Sequence, residues 1–70
     1  MINTKYHKEI YDKKALLKAI DAYEGIVQIT LSEDASYYHC LFSHFESDAS
    51  LTVSHFSNYL IDLMNNRGNS

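Results

Sequence analysis

Alternation of apolar and polar residues with a period of two predicts three strands. The first covers residues 2–8, where the apolar side chains fall on one side and the polar ones on the other. The second covers residues 26–32 and has the clearest alternation, and the third covers residues 37–45. The polar residues 33–36 between the last two are short enough for a hairpin loop.

Recurrence of apolar residues three and four positions apart predicts two helices. The first covers residues 13–24, with Asp12 as its N-cap and Gly25 where a left-handed residue commonly ends a helix. The second runs to about Asn66 and is capped by Asp48 or Ser50. Its predicted buried stripe consists of Val53, Phe56, Leu60 and Leu63 or Met64.

The hairpin decides which face of the third strand is buried. A four-residue loop pairs Leu31 with Tyr38 and places that side of the strand in the core, together with Cys40 and Phe42. A loop one residue longer or shorter would exchange the two faces, because side chains alternate across a strand.

The order of elements predicts an α+β fold, β-α-β-β-α, in one domain of residues 1–70. We expect a right-handed crossover from the first strand to the second, with the third strand between them. The expected result is a three-stranded mixed sheet with both helices on one face. This two-layer arrangement corresponds to a ferredoxin-like fold that lacks its last strand.

The opposite face of the sheet is expected to be open. It carries Tyr37, His39, Leu41 and Phe45 from the third strand, with Ile26 beside them. Such an apolar face is more than a small monomer usually exposes, so we predict a partner-binding surface. The alternative is a different register that buries some of these side chains. A homodimer through this face is the expected assembly, with the lysine-rich first strand and the acidic hairpin meeting across the twofold axis.

The charge is distributed unevenly. The formal net charge is −3, with +3 on residues 1–18 and −6 on residues 19–70. The open face has aromatic residues that resemble a platform for single-stranded RNA. The two strands and the hairpin loop within residues 26–45 contain acidic residues but no lysine or arginine. Phosphate binding needs basic residues, so nucleic acid is not an expected partner.

The expected location is the cytoplasm. Cys40 is the only cysteine, which excludes an intrachain disulfide and fits a reducing compartment. The first twenty residues include five lysines and no apolar segment typical of a signal peptide. No apolar run is long enough to span a bilayer, so no membrane partner is expected.

Neither a catalytic nor a metal-binding motif is present in the sequence. The four histidines and Cys40 lack the short spacings that are typical of zinc sites. We therefore expect no catalytic residues, no cofactor and no metal ligands. The alternative, from another class of function, is a small enzyme or metal-binding subunit that uses His7, His39 or Cys40.

Residues 11–67 resemble the family of the His-Xaa-Ser system protein HxsD. The resemblance depends on Tyr11, on the Ala-Leu-Leu-Lys-Ala segment 15–19 with Tyr23, and on the Phe-Ser-Asn-Tyr-Leu-Ile-Asp segment 56–62. Members of that family belong to gene systems in which radical-SAM enzymes modify a precursor peptide. The resemblance implies an accessory or peptide-presenting role, and the family pattern gives no catalytic residues to carry over to this chain. We therefore expect a small non-catalytic module that binds a protein or peptide partner.

Overall fold

The computed structural model describes residues 1–66 and has the predicted order of elements, β-α-β-β-α. The α+β fold class is therefore confirmed. The five elements are β1 (Ile2–His7), α1 (Lys13–Ala22), β2 (Gln28–Glu33), β3 (Tyr37–Ser43) and α2 (Ala49–Asn66).

The three strands form one sheet in the order β1-β3-β2, with the third strand in the middle as predicted. Both adjacent pairs are antiparallel, so the expectation of a mixed sheet is corrected. β1 and β2 are parallel to each other, but β3 lies between them and separates them. The fold is therefore a split β-α-β unit, in which a helix connects two parallel strands that are not neighbours.

The hairpin between β2 and β3 is tighter than predicted, although its faces are as predicted. Leu31 lies opposite Cys40 and Ile29 opposite Phe42, whereas the predicted register pairs Leu31 with Tyr38. The loop contains two residues instead of four, which shifts the register by two positions. An even shift leaves every side chain on its predicted face. Tyr38, Cys40 and Phe42 are accordingly all buried.

A side-chain cap explains the shorter loop. The backbone N–H of Asp34 donates to the carbonyl of Tyr37 at 3.0 Å, so these two residues close the turn. Oδ1 of Asp34 accepts from the N–H groups of Ser36 and Tyr37, each at 2.8 Å. Aspartate commonly stabilises turns in this way. Glu33 therefore remains in the strand and does not join the loop.

Both helices start at the predicted aspartates. Asp12 accepts a hydrogen bond from the N–H of Ala15 at 3.1 Å, and Asp48 accepts one from the N–H of Leu51 at 2.9 Å. Each bond satisfies an N–H group that has no partner within its helix.

The end of α1 differs from the prediction. Gly25 does not adopt the left-handed conformation. The helix ends at Ala22, and the carbonyl of Tyr23 accepts from the N–H groups of both Ile26 and Val27. This turn closes the helix end without a left-handed residue. It also uses the residues that were assigned to the start of the second strand, so β2 begins two residues later.

Both helices pack on the face of the sheet that carries Phe42. The fully buried side chains Leu16, Cys40, Phe42, Phe56 and Leu60 come from α1, β3 and α2 and belong to one cluster. The opposite face has no helix over it within the described residues, as expected for a two-layer domain.

Candidate functional site

The uncovered sheet face, called the open face below, follows from the register of the strands. Side chains directly opposite each other in adjacent strands share a face. The open face therefore contains the residues that alternate with the buried ones. These are Asn3, Lys5 and His7 of β1, Tyr37, His39, Leu41 and Ser43 of β3, and Gln28, Thr30 and Ser32 of β2.

A cluster of rings occupies one end of the open face. The ring of Tyr37 meets that of His7 edge to face, with centroids 4.9 Å apart, and lies 6.3 Å from that of His39. The Nζ atom of Lys5 lies 5.2 Å from the centre of the Tyr37 ring. A lysine over an aromatic face is attracted by the ring quadrupole. The cluster thus combines flat apolar area with polar groups, as protein-binding surfaces commonly do.

Asp34 fixes the orientation of His39. Its Oδ2 atom lies 2.8 Å from Nε2 of His39, while Oδ1 caps the turn. The hydrogen bond with His39 holds the pKa of Asp34 well below its usual range, and the backbone N–H groups of Ser36 and Tyr37 lower it further. A carboxylate and an imidazole in contact could move a proton, but this pair lies on an exposed hairpin.

The structure brings three of the four predicted partner-binding residues together. Tyr37, His39 and Leu41 alternate along β3 and all point to the open face. Leu41 is the most accessible of the three, with 37% of its surface exposed, and it is apolar. The positions of these three residues are as predicted, and their role in binding stays a prediction.

Phe45 is not on the open face, which corrects the prediction. β3 ends at Ser43, and His44 has a positive φ of 53°. This left-handed residue breaks the alternation of the strand. Phe45 is partly buried and packs against the core cluster. Ile26 also precedes β2 and lies outside its alternation, so the open face is more polar than the sequence predicted.

The residues of the alternative metal or enzyme function lie on two different faces of the sheet. Cys40 lies on the buried face, and burial raises the pKa of its thiol to about 11. His7 and His39 are diagonal neighbours on the open face, since they lie opposite Tyr37 and Lys5 respectively. Within residues 1–66, no three histidine, cysteine or acidic side chains are placed to hold a metal ion.

Two lysines, one directly after β1 and one at the start of α1, bind the end of β2. Nζ of Lys8 and Nζ of Lys13 lie 2.7 and 2.9 Å from the two carboxylate oxygens of Glu33. The lysine-rich segment and the acidic hairpin therefore meet within one chain, and their meeting across a dimer axis stays a prediction. These hydrogen bonds lower the pKa of Glu33 to about 2, and the bond with Lys13 has a larger effect than the bond with Lys8.

This pairing makes stability depend on pH. The pKa of Glu33 falls from its ordinary value of 4.5 to about 2 on folding, so the unfolded chain takes up the proton first. The contribution of Glu33 is thus present above pH 4.5 and is lost as the pH falls toward 2. We expect the urea midpoint of Glu33→Gln to fall less than that of the wild type between pH 5 and 2. Glu9→Gln is the control, and parallel curves for Glu33→Gln and wild type would contradict the prediction.

A second candidate surface, which is concave, lies at the outer edge of β2, and the pattern of a single element does not predict it. A groove of about 530 Å³ separates this strand from α1. Leu17, which flanks the predicted apolar stripe of its helix and is 48% exposed, is the residue whose position signals it.

Comparisons with known proteins add no relative. No family model matches the chain, and neither a curated protein nor a solved structure matches it. Among residues 1–66, the helices are too short or too polar to cross a bilayer. The fold and the open face define a small α+β module whose sheet is covered on one side.

Proposed function

We propose that the protein is a small non-catalytic accessory module that binds a protein or peptide partner through its open face. The observation that carries this proposal is the one-sided cover of the sheet. Both helices pack on the face of Phe42, whereas the face with Tyr37, His39 and Leu41 is left to solvent. Tyrosine is among the residues enriched where binding energy concentrates, and a rigid sheet holds it in place.

The resemblance to the HxsD family supports a setting for this module. It implies a place beside radical-SAM enzymes that modify a precursor peptide, with an accessory or peptide-presenting role. Cys40 is a free thiol in the core, which fits the reducing cytoplasm. The alternative is a metal-binding or enzymatic subunit that uses the histidines of the open face.

The setting has a direct test. We expect the gene to lie near genes for a radical-SAM enzyme and a short precursor peptide. Co-expression of the three products should give modified peptide by mass spectrometry, and omission of this protein should reduce the yield. Full modification without it would contradict the accessory role. Metal analysis of the purified protein tests the alternative, since stoichiometric zinc or iron would favour a metal-binding subunit.

A second copy of the chain is the first partner to test on the open face. Twofold pairing is the commonest way in which small proteins cover such a surface. A specific dimer would bury about 1,200 Å² or more in total. Because Phe45 packs against the core, Leu41 is the apolar residue of this face whose replacement tests the dimer without disturbing the fold.

We expect sedimentation velocity at micromolar concentration to show a dimer for the wild type and a monomer for Leu41→Glu. A buried carboxylate without a partner would oppose association. The matched control is Leu51→Glu, because Leu51 is 58% exposed on α2, away from the open face. A wild-type monomer would exclude the homodimer, and equal effects of the two variants would exclude the open face as its interface.

A further inference from the structure

The outer edge of β2 has backbone groups available for another strand. Residues in an antiparallel pair alternate between bonding to the partner strand and pointing away from it. The N–H of Asp34 donates to the carbonyl of Tyr37. By the alternation, the backbone groups of Gln28, Thr30 and Ser32 therefore form hydrogen bonds with β3. The N–H and C=O groups of Ile29 and Leu31 consequently point away from the sheet.

The two edges of the sheet differ in their protection. Lysines on an edge strand discourage pairing with another chain. β1 carries Lys5 in its middle, whereas β2 has the sequence Gln-Ile-Thr-Leu-Ser-Glu without a lysine or an arginine. The edge of β2 is therefore the one that is open to a fourth strand.

The groove beside this edge is shaped for the side chains of such a strand. Its volume of about 530 Å³ lies within the range of ligand-binding clefts. Its apolar lining comes from two elements and the turn between them, namely Leu17 and Ile20 of α1, Val27 of the turn, and Ile29 of β2. The side chains of Ile29 and Leu31 share the face of Phe42 and Cys40, toward the helices. Every second side chain of an added strand would point the same way, into the groove.

The rim of the groove indicates the charge of its occupant. Asp21 of α1 and Glu24 of the turn that follows line it, and both residues are exposed. Neither carboxylate forms an ion pair within the described residues, in contrast to Glu33 at the other end of β2. A lysine or arginine of the occupant would form ion pairs with these acids and would complement the negative net charge of the chain.

From these features we propose that the groove binds an extended segment of a partner protein, which adds to β2 as a fourth strand. The segment has apolar residues at alternate positions, which enter the groove, and a basic residue that contacts Asp21 and Glu24. Main-chain hydrogen bonds to Ile29 and Leu31 hold the segment. The fit of its alternate side chains in the groove determines which sequences bind. This surface is distinct from the open face, so the proposal goes beyond the function proposed above.

A designed peptide tests this binding mode. The probe is a fluorescein-labelled nine-residue peptide that alternates valine and threonine and carries two lysines at one end. Two versions, with the lysines at the amino or the carboxyl end, cover both strand directions. We expect one version to bind saturably by fluorescence anisotropy, and its counterpart with glutamates in place of lysines to bind at least tenfold more weakly. Absence of binding by both lysine versions would overturn the proposal.

The double variant Asp21→Lys with Glu24→Lys tests the rim. Because both positions are exposed, we expect its thermal midpoint to match the wild type and its preference to reverse toward the glutamate peptide. An unchanged preference would overturn the assignment of the rim. Leu41→Glu is the matched control, and it should bind the peptide as the wild type does, which separates this groove from the open face.

Backbone pairing has its own readouts. N-methylation of the peptide at one set of alternate residues should abolish binding, while methylation at the other set should leave it intact. Amide exchange of Ile29 and Leu31 should slow on binding. Protection at Lys5 and His7 would place the peptide on β1 and overturn the proposal. Protection of Ile29 and Leu31 that rises with protein concentration without peptide would assign the edge to a second copy instead.

Discussion

Replacement of Phe56 by alanine is expected to unfold the domain. The side chain is fully buried, and its ring centre lies 5.1 Å from that of Phe42, 5.4 Å from that of Tyr23 and 6.3 Å from that of Tyr6. One residue thus joins α2 to the sheet and to the end of α1. Truncation of a buried phenylalanine costs about 3–5 kcal/mol. A chain of this length is stable by roughly 4–10 kcal/mol, so the loss removes a large part of the total.

Circular dichroism and urea unfolding check this expectation. Phe56→Ala should lose cooperative unfolding or be recovered only as insoluble protein. Phe56→Leu, which retains much of the apolar volume, should fold with a lower midpoint. Leu51→Ala is the control on the same helix, where an exposed position should change the free energy of unfolding by less than about 0.5 kcal/mol. A soluble Phe56→Ala protein with the wild-type midpoint would contradict burial of this face.

The sequence was sufficient to predict Phe56 because helical periodicity repeats over four turns of α2. Phe56 and Leu60 recur on one face and are fully buried, and Val53 is partly buried beside them. Thr52 is buried although the pattern did not predict it, because its hydroxyl donates to the carbonyl of Asp48 at 2.8 Å and lies 3.5 Å from Oγ of Ser47. Burial of a polar residue depends on such partners, which a hydrophobic pattern does not contain.

The ends of elements were less predictable than their faces. Gly25 follows α1 in sequence at the position expected for a left-handed cap, but bonds to the carbonyl of Tyr23 close the turn instead. Phe45 continues the alternation of β3 in sequence, yet the left-handed His44 redirects it toward the core. In both cases one backbone conformation overrides a regular pattern, and the pattern itself carries no sign of it.

The candidate site was predictable only within single elements. Tyr37, His39 and Leu41 share a face because they are two residues apart on one strand. The contact of His7 with Tyr37 depends on the register between β1 and β3. The groove depends on how α1 lies against β2, which is a tertiary property. The second surface therefore became apparent from the structure alone.

The thiol of Cys40 is expected to be almost unreactive in the folded protein, which is the largest effect predicted for this chain. Its residue is fully buried within the cluster of Phe42, Phe56 and Leu16. Desolvation raises the pKa of the thiol from 9.0 to about 11, so the thiolate population at neutral pH falls about 100-fold. Exclusion of the reagent from the core lowers the rate further, so modification should require unfolding.

Modification by a thiol reagent such as Ellman's reagent at pH 8 measures this effect. The native protein should react at least about 1,000-fold more slowly than the protein in urea, because only unfolded molecules expose the thiol. Two variants that should react faster than the wild type serve as comparisons. Phe56→Leu should accelerate the reaction by the factor by which it raises the unfolding equilibrium constant. Cys40→Ala with Ser36→Cys should react rapidly, since Ser36 lies in the exposed hairpin loop. Rapid reaction of Cys40 in the native protein would contradict its place in the core and would favour a reactive thiol, which is the alternative to a binding module.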